Sequence, residues 1–387
     1  MELSFPGKLG IQQRILPHYR GEFFEGLAQR CDGGLSVVAG KAGVQETVIE
    51  VTELSKTRYV PCHNIHFLSA NSPFYLLWQK GVLRWLQGWD PDVLIIEANH
   101  RYLSTRTAIR WMHTRGRPVI GWGLGVYQPG GVGRKINFRG SIHEWWRHNL
   151  LKLCDGFISY SKKGAEQFRA LGIADERVFV APNAVIQKPV WPFPVRPDKV
   201  DERLTVLFVG RLQSRKKIDN LLIACNGLSE SVQPNVWIVG DGPERSKLES
   251  LANSIYPRAR FFGALHGNQV AKYFKSADLF VLPGTGGLAV QEAMAYGLPV
   301  IVAEGDGTQD QLINPHNGWL IPKNDIRSLR DCLQESLSDL GRLRIMGHES
   351  YRIVCEEYNL GKMIDNFIEA VSAIHSLNRN LRHSEET

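Results

Sequence analysis

The stretch PGTGGLAVQEAMAYGLPVI, residues 283 to 301, joins a glycine-rich turn to a helical pattern and then to an apolar run of β type. The apolar residues LFVL come directly before it, so the glycines lie between a predicted strand and a predicted helix. Glycine lets backbone N–H groups approach a ligand without a side chain in the way, and the start of a helix offers unpaired N–H donors to an anion. The stretch therefore predicts an α/β unit with a parallel sheet, in which this turn is either a phosphate site or a tight turn without a ligand.

Apolar, β-branched runs alternate with helical patterns along most of the chain. The predicted strands cover residues 10–16, 35–40, 92–98, 118–123, 156–161, 177–182, 204–210, 235–240, 259–263, 279–284 and 299–304. Such alternation is typical of parallel sheets with helices on both faces, and right-handed crossovers make each half of the chain doubly wound.

The two series of strands are separated by QKPVWPFPVRPDKVDE, which follows APNAV and holds four prolines. Because proline disfavours the interiors of helices and strands, this segment predicts a linker. We therefore expect two Rossmann-like domains that face each other across a cleft, at residues 1–185 and 203–359, with a linker over 186–202. A helix at about residues 360–378 is expected to pack back on the first domain.

Composition narrows the class of protein. The 387 residues are 43% hydrophobic with a mean hydropathy of −0.20, and no apolar run approaches the roughly 18 residues of a membrane-spanning helix. The first residues lack the apolar core of a signal peptide, and the six cysteines have no CxxC spacing that would indicate zinc or a disulfide framework. We expect a cytoplasmic protein that uses neither a metal ion nor a cofactor.

The positive charge is concentrated in the first half of the chain. Residues 1–185 carry 23 Lys and Arg against 15 Asp and Glu, whereas residues 186–387 carry 23 against 24. Residues 101–150 hold nine basic residues and one acidic residue, and residues 72–89 add aromatic side chains. This is either a solvated basic face or a surface that meets phosphate, such as a lipid diphosphate or an anionic membrane to which the protein would bind peripherally. No nucleic-acid-binding module is recognisable, so nucleic acid is not expected as a partner.

Three further loops follow predicted strands of the second half. The sequence VGRLQSRKKIDNLL places Gly210, Arg211 and Lys216 beyond a strand end, where two cations can hold a diphosphate. The other strand-end candidates are Gly240, Asp241 and Gly242 in VGDGPERSKLESL, and Leu265 in GALHGNQVAKYF, a loop whose backbone can contact a nucleobase. Ligands of open parallel sheets lie beyond the carboxyl ends of the strands, so the loops together predict a nucleotide-diphosphate site, with ordinary surface loops as the alternative.

These motifs resemble those of glycosyltransferase family 4, whose members have the GT-B fold. The resemblance rests on GRLQSRK, VGDGP and the glycine-rich turn that runs into EAMAYGLPVI, in that order and spacing. In the first half, IQQRILPHYRGEFFEGLA, GWGLG, GFISYSKKGAEQF and VAPNAV are similar to bacterial members that build surface polysaccharides. The resemblance implies metal-independent, retaining transfer of a sugar from a nucleotide-diphosphate sugar to a glycan or lipid-linked acceptor. It favours a UDP-sugar over a GDP- or ADP-sugar.

The resemblance also implies roles for individual residues. Arg211 and Lys216 would hold the diphosphate and stabilise its charge during transfer, and Glu292 would hold the ribose. The turn residues that would line the donor are Gly284, Thr285, Gly286, Gly287, Leu288 and Ala289, the last four through their backbone amides.

Two positions depart from the family's pattern. Gly284 stands where family members carry a glutamate that contacts the transferred sugar, and Leu124 of GWGLG stands where close relatives carry histidine. Residues near the ends of other predicted strands are candidates for the contacts with the sugar and the acceptor that these two positions lack. Glu97 and His100 are the catalytic candidates, and the loop 304–308 is a further one. The candidates on the acceptor side are Tyr19, Arg20, Asn99, Gly123 and Leu124.

Two other functions remain open from these residues. One is a GT-B enzyme of another chemistry, such as an epimerase or a sugar-phosphate transferase. The other is a non-catalytic protein that binds sugar nucleotides. An NAD-linked dehydrogenase is disfavoured because no predicted strand leads into GxGxxG with a downstream acidic residue.

Overall fold

The computed structural model describes residues 3–43, 48–68, 72, 74–125, 149–196 and 203–386. The chain divides into two compact units, the first formed by residues 1–185 with 361–387 and the second by residues 186–360. Among the described residues, no helix combines the length and the apolar character that crossing a membrane requires.

The first unit is built on a seven-stranded sheet in which the paired strands run parallel. Its strands are β1 (Leu9–Ile15), β2 (Leu35–Gly40), β3 (Arg58–Pro61), β6 (Val93–Glu97), β7 (Val119–Gly123), β8 (Gly156–Ser159) and β9 (Val178–Val180), in the order β3-β2-β1-β6-β7-β8-β9. Two further strands, β4 (His63–Phe67) and β5 (Leu76–Lys80), form a separate antiparallel pair.

The helices of the first unit cover both faces of its sheet, because residues 93–96 of the central strand β6 are all fully buried. The described helices are α1 (Gly21–Ala28), α2 (Val82–Trp89), α3 (Leu103–His113), α4 (Lys162–Arg169) and α11 (Leu360–Glu386).

The C-terminal helix α11 belongs to the core of the first unit. Phe367, Val371 and Ile374 are buried at the i, i+4 and i+7 spacing of one helical face. The Phe367 ring centroid lies 4.9 Å from that of Phe23 on α1 and 4.9 Å from that of Trp122 on β7. The helix therefore completes a hydrophobic core whose other members come from the start of the chain.

The second unit repeats the architecture with a six-stranded sheet whose pairings are also parallel. Its strands are β10 (Thr205–Val209), β11 (Asn235–Val239), β12 (Ala259–Phe261), β13 (Leu279–Leu282), β14 (Val300–Ala303) and β15 (Gly318–Ile321), in the order β12-β11-β10-β13-β14-β15. Its described helices are α5 (Ile218–Asn226), α6 (Arg245–Ile255), α7 (Asn268–Ser276), α8 (Leu288–Ala295), α9 (Ile326–Leu337) and α10 (Leu340–Glu356). The strand order reverses between β10 and β13, which is where an open α/β sheet leaves a crevice for a ligand.

The proline-rich segment packs firmly on the second unit up to Arg196. The buried Arg196 guanidinium donates hydrogen bonds to four backbone oxygens, those of Phe274, Ala277, Tyr296 and Gly297. Trp191 stacks on Tyr296 with ring centroids 5.4 Å apart. The prolines thus prevent helix and strand, as predicted, but residues 186–196 are anchored rather than free. The remainder of the predicted linker, residues 197–202, lies outside the described residues.

All eleven predicted strands are present, with ends that differ by at most two residues, but four strands were not predicted. Strands β3, β4 and β5 are short and partly exposed, so they lack the continuous apolar run that marks a buried parallel strand. Residues 72–89, whose aromatic residues have partly helical spacing, contain β5 followed by α2. Residues 126–148 of the basic segment lie outside the described residues.

Candidate functional site

The strand-end loops of the second unit meet at the reversal between β10 and β13. Gly284 lies two residues after β13, and a Cβ atom there would lie 2.2 Å from the Arg215 carbonyl oxygen. The Thr285 N–H donates to that same oxygen over 3.1 Å. Glycine is therefore required at position 284 because the loop after β10 passes directly against the turn after β13. The glutamate that family members carry at this position could not be accommodated in this backbone arrangement.

Lys216 is the buried cation of the site. Its side chain is enclosed, with 7% of the residue exposed, and its Nζ lies 3.4 Å from the Gly286 carbonyl oxygen. Burial, together with the charge of the neighbouring Arg215, lowers the pKa of Lys216 to about 8. Gly286 has φ +120°, and a Cβ there would lie 2.4 Å from Nζ, so the ammonium group lies directly against the turn. Among the residues that the structure describes, no carboxylate pairs with this ammonium group, and an incoming anion would therefore stabilise its charge.

Arg215 connects the same two loops on the exposed side. Its Nη1 donates to the Thr285 carbonyl oxygen over 2.9 Å, and its Nε donates to Gln213 Oε1 over 3.0 Å. Arg211, the arginine predicted to hold the diphosphate, is exposed just after β10, and among the described residues its side chain has no hydrogen bond. Arg215 was missed by the sequence analysis, although it stands in the same run of three cations, RKK.

Gln309 fixes the shape of the glycine-rich turn and was also missed. The side chain is 1% exposed, its Oε1 accepts a hydrogen bond from the Gly286 N–H over 2.7 Å, and its Nε2 donates to the carbonyl oxygens of Gly284, at 3.1 Å, and Ala303. The Gly286 amide, predicted to face phosphate, is therefore engaged by Gln309 in this structure. The N–H groups of Gly287, Leu288 and Ala289 begin α8, where the helix itself supplies no acceptor for them.

Glu292 lies on α8, four residues after Leu288, and is half-buried. Burial raises the pKa of its carboxyl group. A hydrogen-bond donor placed against this carboxylate would therefore be bound more strongly than on an exposed surface. This environment suits the predicted contact with ribose hydroxyls.

The loop after β11 is built around Asp241. Its Oδ1 accepts a hydrogen bond from the Gly242 N–H over 2.7 Å, and its Oδ2 lies 3.1 Å from Nη1 of Arg245. The Gly240 N–H donates to the Gly263 carbonyl oxygen over 2.7 Å, which joins this loop to the loop that carries the half-buried Leu265. The predicted strand-end loops are thus brought together along one edge of the sheet.

A cavity of about 200 Å³ lies beside the glycine-rich turn. Its lining consists of Arg215, Lys217, Pro283, Gly284, Thr285, Ala303, Lys323 and Asn324. Three of these residues are cations and none is acidic, so the cavity is suited to an anionic ligand. Within the described part of the chain, no group of three or more His, Cys, Asp and Glu side chains could hold a metal ion.

The candidates of the first unit lie at or just beyond the carboxyl ends of β1, β6 and β7, which are adjacent strands in the middle of the sheet. Glu97 Oε1 accepts a hydrogen bond from the Arg14 N–H over 2.9 Å, and burial raises the pKa of Glu97. The buried Arg20 donates to the Tyr160 hydroxyl over 3.0 Å and lies over the Trp122 ring. Tyr160, whose pKa is raised to about 12 mainly by burial, was not predicted.

The remaining acceptor-side candidates are more open. Tyr19 and Leu124 are both exposed, whereas Asn99, His100 and Gly123 are half-buried. Asn99 Oδ1 accepts a hydrogen bond from the Arg101 N–H over 3.1 Å, which orders the loop after β6. The structure thus places these residues on one edge of the first unit, without an imidazole at position 124.

Two family models match the chain. The model described as Glycosyltransferase Family 4 matches residues 38–186, and the model described as Glycosyl transferases group 1 matches residues 191–352. A GDP-mannose-dependent alpha-mannosyltransferase of Mycobacterium tuberculosis is 32% identical over 305 residues, which make up 71% of this chain and 74% of that protein.

Solved structures resemble the chain over nearly its whole length. HepE of Anabaena in complex with UDP has a TM-score of 0.70 at 16% identity and covers 95% of this chain and 99% of its own. The apo form of the lipopolysaccharide outer core galactosyltransferase WaaB has a TM-score of 0.68 at 17% identity, with the same coverage. The predicted α/β class with the GT-B fold is confirmed.

Proposed function

Because this chain belongs to the family 4 glycosyltransferases, we propose that it transfers a sugar, with retention of configuration, from a nucleotide-diphosphate sugar to a glycan or lipid-linked glycan acceptor. The observation that carries the donor assignment is the buried Lys216 against the glycine-rich turn, where α8 begins. An anion at this point meets a positive side chain and helix N–H donors together.

The reaction breaks the bond between the anomeric carbon of the sugar and the β-phosphate oxygen. The nucleoside diphosphate leaves with the electron pair, the acceptor hydroxyl forms the new bond to the anomeric carbon, and the hydroxyl proton is transferred to the departing diphosphate. Negative charge grows on the departing diphosphate, so a cation fixed beside it stabilises the transition state more than the ground state. We assign this role to Lys216, with Arg211 and Arg215 on the exposed side of the same loop.

The identity of the donor's nucleobase is the more specific part of the proposal. The Mycobacterium tuberculosis relative is named for GDP-mannose, whereas the HepE structure, at lower identity, contains UDP. We therefore place a GDP-sugar ahead of the UDP-sugar that the sequence motifs favoured. The first unit, with Glu97 and Arg20 at its strand ends, is proposed to bind the acceptor.

Transfer assays with purified protein test the function. The protein is expected to consume a nucleotide sugar faster when a glycan acceptor is present, and the new linkage is expected to keep the donor's anomeric configuration by NMR. GDP-mannose and UDP-glucose should be compared, each with and without a chelator, because transfer is expected to need no metal ion. Donor binding without turnover across an acceptor panel would favour the non-catalytic alternative, and inversion would overturn the retaining proposal.

Nucleotide affinity is expected to fall as the pH rises through 8. Lys216 is charged below its pKa of about 8 and neutral above it, and a bound diphosphate keeps the lysine charged. Affinity should therefore weaken by about tenfold between pH 7 and pH 9, since the free protein must first take up a proton. Calorimetry with GDP and UDP measures this dependence. The variant Lys216→Arg remains charged over this range, so a pH dependence that persists in that variant would contradict the assignment.

Binding to anionic membranes is expected to be reversible and sensitive to salt. Of the nine basic residues in 101–150, Arg134, Lys135, Arg139 and Arg147 lie outside the described residues. Arg117 is paired with Asp90, and Arg115 lies over the Trp111 ring. Arg110 is exposed on α3, and each cation near an anionic surface contributes about 1 kcal/mol before screening. Flotation with anionic and neutral vesicles at low and high salt measures this membrane binding. Equal binding to both vesicle types would contradict the prediction.

A further inference from the structure

A second cavity lies in the first unit and is lined by none of the residues assigned above. Its volume is about 510 Å³, which falls within the size range of ligand pockets, about 300 to 1,000 Å³. Its walls come from the residues around the start of β4, from β5, from the first turn of α2 and from α3.

One side of this cavity is lined by a polar network centred on Gln79, whose side chain lies on the opposite face of β5 from Trp78 and Lys80. The side chain is 1% exposed and its Nε2 donates to the Gln13 carbonyl oxygen over 2.9 Å and to Asn64 Oδ1 over 3.1 Å. Its Oε1 accepts a hydrogen bond from Gln12 Nε2 over 2.8 Å. A side chain held by these hydrogen bonds fixes β5 against its neighbours, so a ligand would not have to order this strand on binding.

The rim of the cavity is positively charged. His63 pairs with Lys80 across the two antiparallel strands, so their side chains lie on one face of the pair. Arg84, on the first turn of α2, adds a guanidinium group. Among the described residues that line the cavity there is no aspartate or glutamate, so the charge of the rim is not neutralised within the lining.

One wall is aromatic and open to solvent. Trp78 lies two residues before Lys80 on the same face of β5, and it is 36% exposed. A tryptophan next to a cation offers an apolar surface for the C–H groups of a sugar ring. Thr107 on α3 also lines the cavity, as does Ser104, whose buried hydroxyl accepts hydrogen bonds from Gln12 Nε2 over 3.4 Å and from the Gln79 N–H over 3.3 Å.

We propose that this cavity binds a phosphorylated sugar, with the phosphate against Lys80 and Arg84 and the sugar ring against Trp78. It would serve as a subsite for the phosphate-bearing end of the acceptor glycan, an assignment that rests on the proposed function. The same chemistry occurs in a soluble sugar phosphate and in a lipid-linked one, and both present a phosphate next to a sugar ring.

Calorimetry on the full chain tests the site with α-glucose 1-phosphate, inorganic phosphate and methyl α-glucoside as separate probes. Glucose 1-phosphate is expected to bind at least about tenfold more tightly than either partial probe, because it fills both parts of the cavity. The variant Lys80→Ala/Arg84→Ala should lose about tenfold or more of that affinity, the effect expected when charge-assisted contacts are removed. The variant Thr107→Phe, which keeps the charges but fills the cavity, should weaken binding as well.

The matched control is Lys56→Ala/Lys152→Ala, which removes two exposed cations of the same unit and should leave the affinity unchanged. A glucose 1-phosphate affinity that is undetectable, or equal in the wild type and both site variants, would overturn the proposal. Binding of the protein to phosphatidylglycerol vesicles tests whether the cations contact a lipid surface instead of a sugar phosphate. If the vesicles bind through Lys80 and Arg84 while glucose 1-phosphate does not bind, the rim is a membrane-contact surface and the sugar site is refuted.

The test of this acceptor subsite can fail independently of the test of the proposed function. No residue of the nucleotide site lines this cavity, so GDP and UDP affinity should be the same in the wild type and in every variant. Absence of nucleotide binding in the wild type would overturn the proposed function, whereas its persistence with no glucose 1-phosphate binding would overturn only the acceptor subsite.

Discussion

Lys216→Ala is expected to lower the rate of sugar transfer by a factor of about 100 to 1,000, because it removes the buried charge beside the departing diphosphate. Lys216 is 7% exposed and its Nζ lies 3.4 Å from the Gly286 carbonyl oxygen, so water replaces the ammonium group poorly. The effect corresponds to about 3–4 kcal/mol of transition-state stabilisation. Steady-state kinetics with a saturating acceptor, together with calorimetry of GDP and UDP, measures the two consequences separately.

Arg211, the exposed arginine in the same loop, provides the comparison for the variant Lys216→Ala. Arg211 is exposed, so Arg211→Ala should cost less than Lys216→Ala in both transfer rate and nucleotide affinity. Thermal unfolding of each variant serves as the folding control, since removing a desolvated ammonium group is not expected to destabilise the chain. Wild-type transfer by Lys216→Ala would contradict the assignment of Lys216, and equal losses in the two variants would contradict the role of burial.

Most of the strands that the sequence predicts are buried on both faces, although the edge strands β9 and β12 are partly exposed. The runs VLII in DVLIIEA and VLFV in LTVLFVG are continuously apolar because helices cover both sides of a parallel sheet. Strands β3 to β5 were not predicted from apolar runs because they are partly exposed and mix polar with apolar residues. The search for apolar runs therefore identified every interior strand of both sheets and the edge strands β9 and β12, but it missed the edge strands β3 and β15 and the separate pair β4 and β5.

Some residues of the candidate site could likewise be predicted from the sequence, and others could not. Lys216 and the glycine-rich turn are recognisable because a local pattern, a strand followed by glycines and a helix, places them at the carboxyl edge. Gln309 has no such local signal, since its partners Gly284 and Gly286 lie more than twenty residues earlier in the chain. Tyr160 likewise acquires its contact from Arg20, which is 140 residues away. Contacts of this kind depend on the register of the whole sheet.

The other large effect is expected in the first unit, where Phe367→Ala should destabilise folding by about 3–5 kcal/mol. The ring is fully buried and packs edge-on against both Phe23 and Trp122, so its removal leaves a cavity that rigid strands cannot fill. Loss of this contact should loosen α11 from α1 and β7. Hydrogen–deuterium exchange by mass spectrometry measures the change, with faster exchange expected in peptides of the first unit and unchanged exchange in those of the second.

Leu381→Ala is the matched control for this prediction, because it truncates a residue of the same helix that is 51% exposed. Its effect should stay within about 0.5 kcal/mol. Phe367→Leu, which keeps part of the buried volume, should fall between the two. If Phe367→Ala and Leu381→Ala exchange alike, α11 is not part of the core of the first unit. If peptides of the second unit also exchange faster, the two units do not unfold independently, and the stability of the nucleotide site then depends on a helix that contributes no residue to it.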